Sequence, residues 1–388
     1  MDWRSHWTLD PQIRFLNHGA HGACPIAVLD YQQELRAQLE REPVYFFNHR
    51  LEPLLDEARQ ALAEFVGADP EDLVFVSNAT TGVNAVLRSL SFQPGDELLT
   101  TNHEYNASRN VLNFVAERSG ATVVVAEIPF PLQSAAQITE TILAKVSPRT
   151  RLLLVDQVSS PTAIVFPLQA IAQAVIPQGI EVLVDGAHAP GMLPLNLREL
   201  GVTYYTGNCH KWMCAPKGAA FLYVQRDRQS AIRPTVISHG ANSPRSDRSR
   251  FQLEFGWMGT DDPTPALSVP KTLQTMAAML PGGWAELQAT NRAQAIAAQR
   301  LLCEALGIAP PVPEALLGSM AALPLPITEP AALQNKLFQA FQIEVPVFPW
   351  ADDPPALIRI SAQLYNTEDE YRALAIALQS LSSIQDGG

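Results

Sequence analysis

Between residues 73 and 224 the chain alternates short apolar runs with helical patterns, and this alternation limits the fold more than any other feature. The apolar runs have the length of strands and lie at 73–77, 97–100, 122–128, 151–157, 180–185, 202–206 and 219–224. Helical stretches separate most of them, at 82–91, 106–119, 135–146 and 168–176. Because strand–helix–strand units make right-handed crossovers between parallel neighbours, the pattern predicts an α/β fold with a mainly parallel seven-stranded sheet. Only a short link joins the last two runs, which predicts an antiparallel strand at 219–224.

The segments before and after this alternating region predict that the chain has three parts. Residues 1–30 are expected to form an N-terminal arm that joins a small domain, because 15–25 is too rich in glycine and polar residues for a regular element. A helix at 53–66, capped by Gly67, opens a large domain of residues 31–265. Residues 228–262 are interpreted as a long loop. The remainder, 266–388, predicts a small α+β domain with helices at 266–280, 284–306, 330–341 and 367–382, and strands at 319–325, 343–348 and 356–362.

Composition excludes several classes of function. The net charge of -12 and the lack of a basic run argue against binding to nucleic acid or to an anionic membrane surface. The four cysteines have neither the spacing of a metal site nor the density of a disulfide scaffold. The sequence shows no signal-peptide pattern and no apolar run of membrane-spanning length, so a cytoplasmic protein is expected.

Polar residues follow several of the apolar runs, at the edge of a parallel sheet where ligands bind. Ser77–Asn84 is a hydroxyl-rich turn that opens a helix, and it suits either a phosphate site or an ordinary helix N-cap. Tyr105 adds an aromatic ring after the next run. Asp185 directly follows the run 180–185; it is a candidate partner for a protonated ring nitrogen, although a turn cap, a metal or a ribose would suit it equally.

Lys211 lies between His210 and Trp212 in a turn after the run 202–206. A single lysine of this kind is usually a surface residue, but desolvation among apolar neighbours would lower its pKa and leave a nucleophilic amine. An anion site, an aromatic ring, a buried acid and such a lysine, in this chain order, are the parts that hold pyridoxal 5'-phosphate.

The runs Asp185-Gly-Ala-His188-Ala-Pro-Gly191 and Asn208-Cys-His210-Lys211-Trp212 identify a specific resemblance. With 26 residues from Asp185 to Lys211, they resemble the class V aminotransferase family of the type I pyridoxal-phosphate fold, nearest its isopenicillin N epimerase-like branch. The resemblance covers nearly the whole chain, from Phe15 to Tyr371.

The resemblance implies a role for each matching residue. It makes Lys211 the Schiff-base (aldimine) lysine, Asp185 the partner of the pyridine nitrogen and Tyr105 the ring that stacks on the cofactor. The phosphate ligands that it implies are Ala79, Thr80 and His210, with Asn208 or Thr206 in addition. His188 is expected to hydrogen-bond the phenolic oxygen of the cofactor. Gly259 and Thr260 are expected to reach the phosphate from a second subunit. This last segment implies a homodimer with shared active sites. Arg359 is expected to bind the substrate carboxylate, with Asn17 nearby.

One departure from the family narrows the chemistry. Cysteine desulfurases carry a nucleophilic cysteine ahead of the carboxylate-binding arginine, whereas residues 341–356 contain no cysteine and Cys303 lies in a helical pattern expected in the core. Lys211 would remove a proton from the substrate Cα, and epimerisation, β-elimination or transamination would then follow. The first expectation is an enzyme like isopenicillin N epimerase, with Tyr105 or His103 as the second acid. The alternatives are a carbon–sulfur lyase, an aminotransferase, or an inert binding protein of the same fold.

Overall fold

The computed structural model describes residues 2–351 and 353–385, apart from the side chains of 382–385. The strands of the described residues are β1 (Arg14–Phe15), β2 (Leu73–Val76), β3 (Glu97–Thr101), β4 (Thr122–Ala126), β5 (Thr150–Asp156), β6 (Glu181–Asp185), β7 (Tyr204–Asn208), β8 (Ala220–Val224), β9 (Met320–Leu325), β10 (Ile343–Glu344), β11 (Val347–Pro349) and β12 (Ala356–Ser361).

Seven of these strands form the central sheet, in the order β2-β8-β7-β6-β5-β3-β4. The pairs β3–β4, β3–β5, β5–β6 and β6–β7 are parallel, while β8 runs antiparallel to both β7 and β2. The predicted mainly parallel sheet and its antiparallel strand at 219–224 are therefore confirmed.

The central strands have apolar side chains on both faces of the sheet. In β5, Leu153 and Val155 pack into one apolar cluster, while Leu152 and Leu154 pack into another. Burial of each such side chain stabilises the fold by roughly 1.5–3 kcal/mol. This two-sided burial explains why the strands appear in the sequence as unbroken apolar runs.

Helices cover both faces of the sheet and build much of the rest of the chain. They are α1 (His18–His21), α2 (Ile26–Arg41), α3 (Pro43–Tyr45), α4 (Leu51–Val66), α5 (Ala79–Ser89), α6 (Asn106–Ser119), α7 (Ala135–Leu143), α8 (Leu168–Val175), α9 (Leu197–Leu200), α10 (Arg250–Phe255), α11 (Thr264–Leu267), α12 (Val269–Ala277), α13 (Gly283–Leu306), α14 (Pro330–Phe341) and α15 (Glu368–Gln385). Among the described residues, no helix combines the length and the apolar character needed to cross a membrane.

Two predicted elements are divided at prolines. The helix expected at 266–280 is split into α11 and α12, because Pro270 lacks the N–H group that would bond to the carbonyl of Ala266. The strand expected at 343–348 is split into β10 and β11 around Pro346. Here the chain changes partner, since β10 pairs with β1 and β11 pairs with β12.

Two further differences concern element bounds. The interpretation of 228–262 as a loop missed α10, whose N-cap Ser249 accepts a hydrogen bond from the Gln252 N–H group. The strand predicted at 202–206 lies at Tyr204–Asn208, because Gly207 and Asn208 pair with β8 and extend the strand through small and polar residues.

The arm and the C-terminal part are joined by backbone pairing. β1 pairs in parallel with β10, and β11, β12 and β9 form an antiparallel sheet. From these pairings we propose that the chain has the three parts expected from the sequence, namely an arm, a large domain and a small C-terminal domain. The expected boundaries fall inside helices, since residue 31 lies within α2 and residue 266 within α11. We therefore propose boundaries at Pro25 and Pro263, just before these helices begin.

Candidate active site

Lys211 lies in the turn that follows β7, at the carboxyl edge of the sheet. Its Nζ atom is 3.1 Å from Nε2 of His188. Burial, and after it the Arg359 cation, lower the pKa of Lys211 from its ordinary value of 10.5 to about 7. A large fraction of Lys211 is thus a neutral amine near neutral pH, which is the state needed for attack on a carbonyl carbon.

Asp185 ends β6 and is buried. Its carboxylate accepts hydrogen bonds from Ser108 Oγ at 2.8 Å and from the Ala187 N–H group at 3.1 Å. Burial nevertheless raises the pKa of Asp185, because two neutral donors do not replace the lost hydration. A protonated ring nitrogen would supply the missing positive partner, so this environment fits a pyridine ring.

His188 is buried beside Lys211. Burial, with Lys211 and Arg359 nearby, keeps the pKa of His188 well below its ordinary value, so the imidazole is neutral. Its Nδ1 atom is buried and has no hydrogen-bond partner among the described residues. An unsatisfied buried nitrogen at this position fits a polar group of a bound molecule.

The turn before α5 forms the predicted phosphate region. The Asn78 side chain caps α5 by accepting from the Thr81 N–H group at 2.9 Å. The Ala79 N–H group donates to Asn208 Oδ1 at 2.8 Å, so Asn208 holds the start of the helix in this structure. Thr80 occupies the first turn of the same helix.

Helix α5 lies directly on β7. A Cβ atom on Gly82 would be 2.2 Å from Thr206 Oγ1, so the position has no room for a side chain. The Thr206 hydroxyl donates to the carbonyl of Phe221 at 2.8 Å. Thr206 is therefore engaged in packing the helix start against the sheet.

His210, Gly259 and Thr260 are the other residues that the sequence predicted as phosphate ligands. His210 Nδ1 is 3.1 Å from the carbonyl of Ala219, and burial together with Lys211 lowers the pKa of His210 to about 4. Gly259 and Thr260 line a cavity of about 440 Å³ with Ser77 of the same chain.

Arg359 extends from β12 and is 5% exposed, which is unusual for a cation. Its guanidinium donates to the carbonyl and hydroxyl oxygens of Ser160, while its Nε atom is buried and meets no acceptor within residues 2–351 and 353–385. Burial lowers the pKa of Arg359 to about 10, so it stays charged at neutral pH. Because no acid side chain of the described residues pairs with it, this cation fits a substrate carboxylate. Asn17 Oδ1 is likewise buried and finds no partner in the part of the chain that the structure describes.

Tyr105 precedes α6 and is 45% exposed. It is close enough to Arg359 to raise the pKa of that guanidinium. An exposed ring of this kind is available for stacking on a ligand.

His103, which the sequence suggested as a second acid, is a structural residue. Nδ1 is 2.8 Å from Thr162 Oγ1 and Nε2 is 3.1 Å from the carbonyl of Ile128, so both ring nitrogens are occupied. Burial lowers the pKa of His103 to about 4, which keeps the ring neutral.

Two buried acids near Asp185 were not predicted as site residues. Glu104 and Asp156 each bring a carboxylate oxygen to within 4.8 Å of the others in this group of three. Burial and the neighbouring carboxylates hold the pKa of both well above the usual range. The one sequence signal was that Asp156 and Asp185 both end apolar runs; in the sheet they are paired residues on neighbouring strands.

The sheet order, the lysine after β7 and the carboxylate ending β6 define an enzyme of the type I pyridoxal-phosphate fold. The sequence model described as Aminotransferase class-V matches residues 22–374, and the chain belongs to that family. Pyridoxal phosphate is the cofactor of this family, which confirms the expected cofactor.

Known proteins resemble the chain over nearly its whole length. It is 35% identical to isopenicillin N epimerase of Streptomyces clavuligerus, with 98% of each chain covered. It is 30% identical to putative L-cysteine desulfhydrase 1 of Oryza sativa subsp. japonica, over 96% of this chain and 83% of the relative. A solved variant of C-DES with glycine covalently linked to its pyridoxal phosphate shares the fold, with a TM-score of 0.83 and 24% identity, over 97% of this chain and 98% of that one.

Proposed function

We propose that this protein is a pyridoxal-phosphate enzyme that acts at the Cα atom of an amino acid or amino-acid-derived substrate, in the manner of isopenicillin N epimerase. The observation that carries the proposal is the half-buried, low-pKa Lys211 amine, which lies beside His188 and near the buried Asp185 at one edge of the sheet. The similarity to isopenicillin N epimerase over 98% of both chains supports the epimerase-like assignment.

We assign a separate role in this reaction to each residue of the site. Pyridoxal phosphate, when bound, withdraws electrons from the Cα atom and so makes its proton acidic. With the cofactor bound, Asp185 would hold the proton on the ring nitrogen, His188 would hydrogen-bond the phenolic oxygen, and Tyr105 would provide an aromatic ring for stacking. Arg359 binds the substrate carboxylate in a two-point contact, with Asn17 beside it. Lys211 Nζ takes the Cα proton, since its pKa of about 7 suits a base at neutral pH.

The start of α5 would hold the phosphate, because the helix dipole and the N–H groups of the first turn favour an anion. We assign this role to Ala79 and Thr80, with His210 as a donor and Asn208 as the residue that holds the helix start. A phosphate dianion beside His210 would raise the pKa of its imidazole and make it a cation.

Epimerisation needs an acid on the face of the substrate opposite Lys211. Tyr105 remains the candidate for this acid, because His103 has both ring nitrogens occupied. Tyr105 is exposed and close to Arg359, which we assign to the substrate carboxylate.

A carbon–sulfur β-lyase is the second candidate. It is supported by the 30% identity to a putative cysteine desulfhydrase. Persulfide chemistry on a cysteine of this chain is disfavoured, because all four cysteines are buried and burial raises the pKa of each. Transamination uses the same residues and is a further outcome of the test below.

The test is proton NMR of the holoenzyme in heavy water with amino acids, cysteine derivatives and an aminoadipyl tripeptide. Loss of the Cα proton signal, with the opposite stereoisomer accumulating and no keto acid, is the result expected for an epimerase. Pyruvate with released thiol would instead identify a lyase, and a keto acid with aminated cofactor would identify an aminotransferase. Lys211→Ala is the control that should stop the exchange; no exchange with any substrate in the wild-type protein would refute the proposal.

We also propose a cytoplasmic homodimer in which Gly259 and Thr260 reach the partner's phosphate site. Free, buried cysteines are consistent with a reducing compartment. Sedimentation equilibrium tests the dimer, and a monomer at micromolar concentration with full activity would refute shared sites. Fractionation of the source cells tests the location.

A further inference from the structure

His18 makes two hydrogen bonds that join distant parts of the chain. It is fully buried at the start of α1, in the N-terminal arm. Its Nδ1 atom is 2.7 Å from the Tyr365 hydroxyl, which follows β12. Its Nε2 atom is 3.0 Å from the main-chain carbonyl oxygen of Lys211. One imidazole ring thus connects the arm, the C-terminal part and the turn that carries the proposed Schiff-base lysine.

The two partners determine the tautomer of His18. A carbonyl oxygen only accepts, so the proton must be on Nε2, which donates to Lys211. Nδ1 is then an acceptor, and the Tyr365 hydroxyl donates to it. Burial lowers the pKa of His18 to about 3, so the ring stays neutral and this direction of donation is fixed over the physiological range.

The arm also meets the Lys211 turn at its main chain. A Cβ atom on Gly22 would be 2.1 Å from the carbonyl oxygen of His210 and 2.8 Å from that of Lys211, and the backbone φ there is +72°. The ring of His18 packs on the ring of Trp212, with centroids 4.8 Å apart. The arm is therefore in contact with three consecutive residues of the turn.

We propose that His18 is a positioning residue, held by Tyr365, that fixes the main chain of Lys211 so that its amine meets the aldehyde carbon of pyridoxal phosphate in one orientation. This inference rests on the proposed role of Lys211. The Lys211 carbonyl also accepts from the Cys214 N–H group at 3.1 Å. Without His18 the Lys211 carbonyl would keep only that local bond, and the amine would sample more orientations. We therefore expect His18 to affect the rate at which Lys211 Nζ forms its covalent bond with the aldehyde carbon. It should not affect the affinity of the pocket for the phosphate and the ring of the cofactor.

The experiment measures bond formation separately from binding. Apoprotein is mixed with pyridoxal phosphate, the bond between Lys211 Nζ and the aldehyde carbon forms with loss of one water, and borohydride reduces it at timed intervals. Mass spectrometry of the Lys211 peptide gives the rate. Affinity of the pocket is measured with pyridoxine 5'-phosphate, which has no aldehyde and cannot form the bond.

His18→Leu keeps the volume but removes the donor, and we expect the rate to fall roughly tenfold or more while pyridoxine 5'-phosphate binds within about threefold of wild type. His18→Gln, whose amide can donate to the carbonyl, should restore most of the rate. Tyr365→Phe removes the hydroxyl that fixes the tautomer and should slow the reaction less than His18→Leu does. Trp7→Phe is the matched control, because it loses a bond within the same arm, from Trp7 Nε1 to the Ala23 carbonyl at 3.3 Å, and should react at the wild-type rate.

The outcomes separate the two proposals. A wild-type rate in His18→Leu, or an equal loss in Trp7→Phe, would refute the positioning role of His18 and leave the assignment of Lys211 intact. No adduct on Lys211 in the wild-type protein would refute the proposed function and this inference together. Should His18→Leu fail to fold, Tyr365→Phe decides: slower bond formation with normal pyridoxine 5'-phosphate binding supports the proposal, and a wild-type rate overturns it.

Discussion

Replacing Lys211 by methionine in the apoprotein should stabilise the fold near neutral pH. Burial and the Arg359 cation lower the pKa of Lys211 from 10.5 to about 7. At about 1.4 kcal/mol for each pH unit, this difference corresponds to about 5 kcal/mol of unfavourable interaction with the charged amine. Because the amine is only partly enclosed at the mouth of the site, we expect about 2–5 kcal/mol of stabilisation at pH 7 in Lys211→Met.

The sign of the pH dependence follows from proton binding. Between pH 7 and pH 10.5 the unfolded chain keeps the Lys211 proton while the folded chain has lost it, so the stability of the wild-type apoprotein rises with pH in this window. The methionine variant lacks this contribution. Its advantage over wild type should therefore be largest at pH 7 or below and should shrink toward pH 10.

Urea unfolding followed by tryptophan fluorescence, at pH 7, 8.5 and 10, measures both effects. Lys336→Met is the control, since Lys336 is an exposed lysine on α14 and its replacement should change the midpoint little at any pH. A Lys211→Met variant that is less stable than wild type at pH 7, or whose advantage does not depend on pH, would show that the Lys211 amine is not destabilised by its surroundings.

Three shorter predictions concern neighbouring residues. Asp185→Asn should slow Cα proton exchange by about 100-fold or more, because the amide cannot hold the ring-nitrogen proton, whereas Ser108→Ala should have a smaller effect; exchange rates in heavy water compare them. Arg359→Lys should raise KM for the substrate about tenfold or more, since an ammonium cannot form the two-point contact, and steady-state kinetics would detect it. Gly82→Ala should destabilise the protein by about 1–3 kcal/mol in urea unfolding, because its Cβ would be 2.2 Å from Thr206 Oγ1, and Thr206→Ala in the same chain should recover part of that loss. These predictions would be contradicted by an unchanged exchange rate in Asp185→Asn, an unchanged KM in Arg359→Lys, or an unchanged unfolding midpoint in Gly82→Ala.

Much of the large domain was predictable because two-sided burial leaves a strong local signal. The runs at 151–157 and 180–185 contain the unbroken apolar stretches 152–155 and 182–184, and both form central strands that end in an acid. The polar residues that follow such strands necessarily lie at one edge of the sheet, which is why Asp185 and Lys211 were expected together.

Other parts of the site depend on contacts that no local pattern records. Ala79 and Asn208 are 129 residues apart, and no local pattern predicts their hydrogen bond. The family resemblance alone suggested Asn208 or Thr206 as an additional phosphate ligand. Glu104 lies near Asp156 and Asp185 because β3, β5 and β6 are neighbours, and that order was not part of the prediction. The sequence likewise showed His103 as polar but not that both of its ring nitrogens are bonded.

The hydrogen bond between His18 and Tyr365 spans 347 residues of sequence, and the contact of Arg359 with Ser160 spans 199. A ribosome delivers the chain from its N-terminus, so the arm and the whole central sheet leave the exit tunnel before β12 exists. Until then His18 has no tyrosine to fix its ring, and the proposed substrate site lacks Arg359. Assembly of the proposed site is therefore a late event in biosynthesis, and a chain truncated before residue 359 should have no activity.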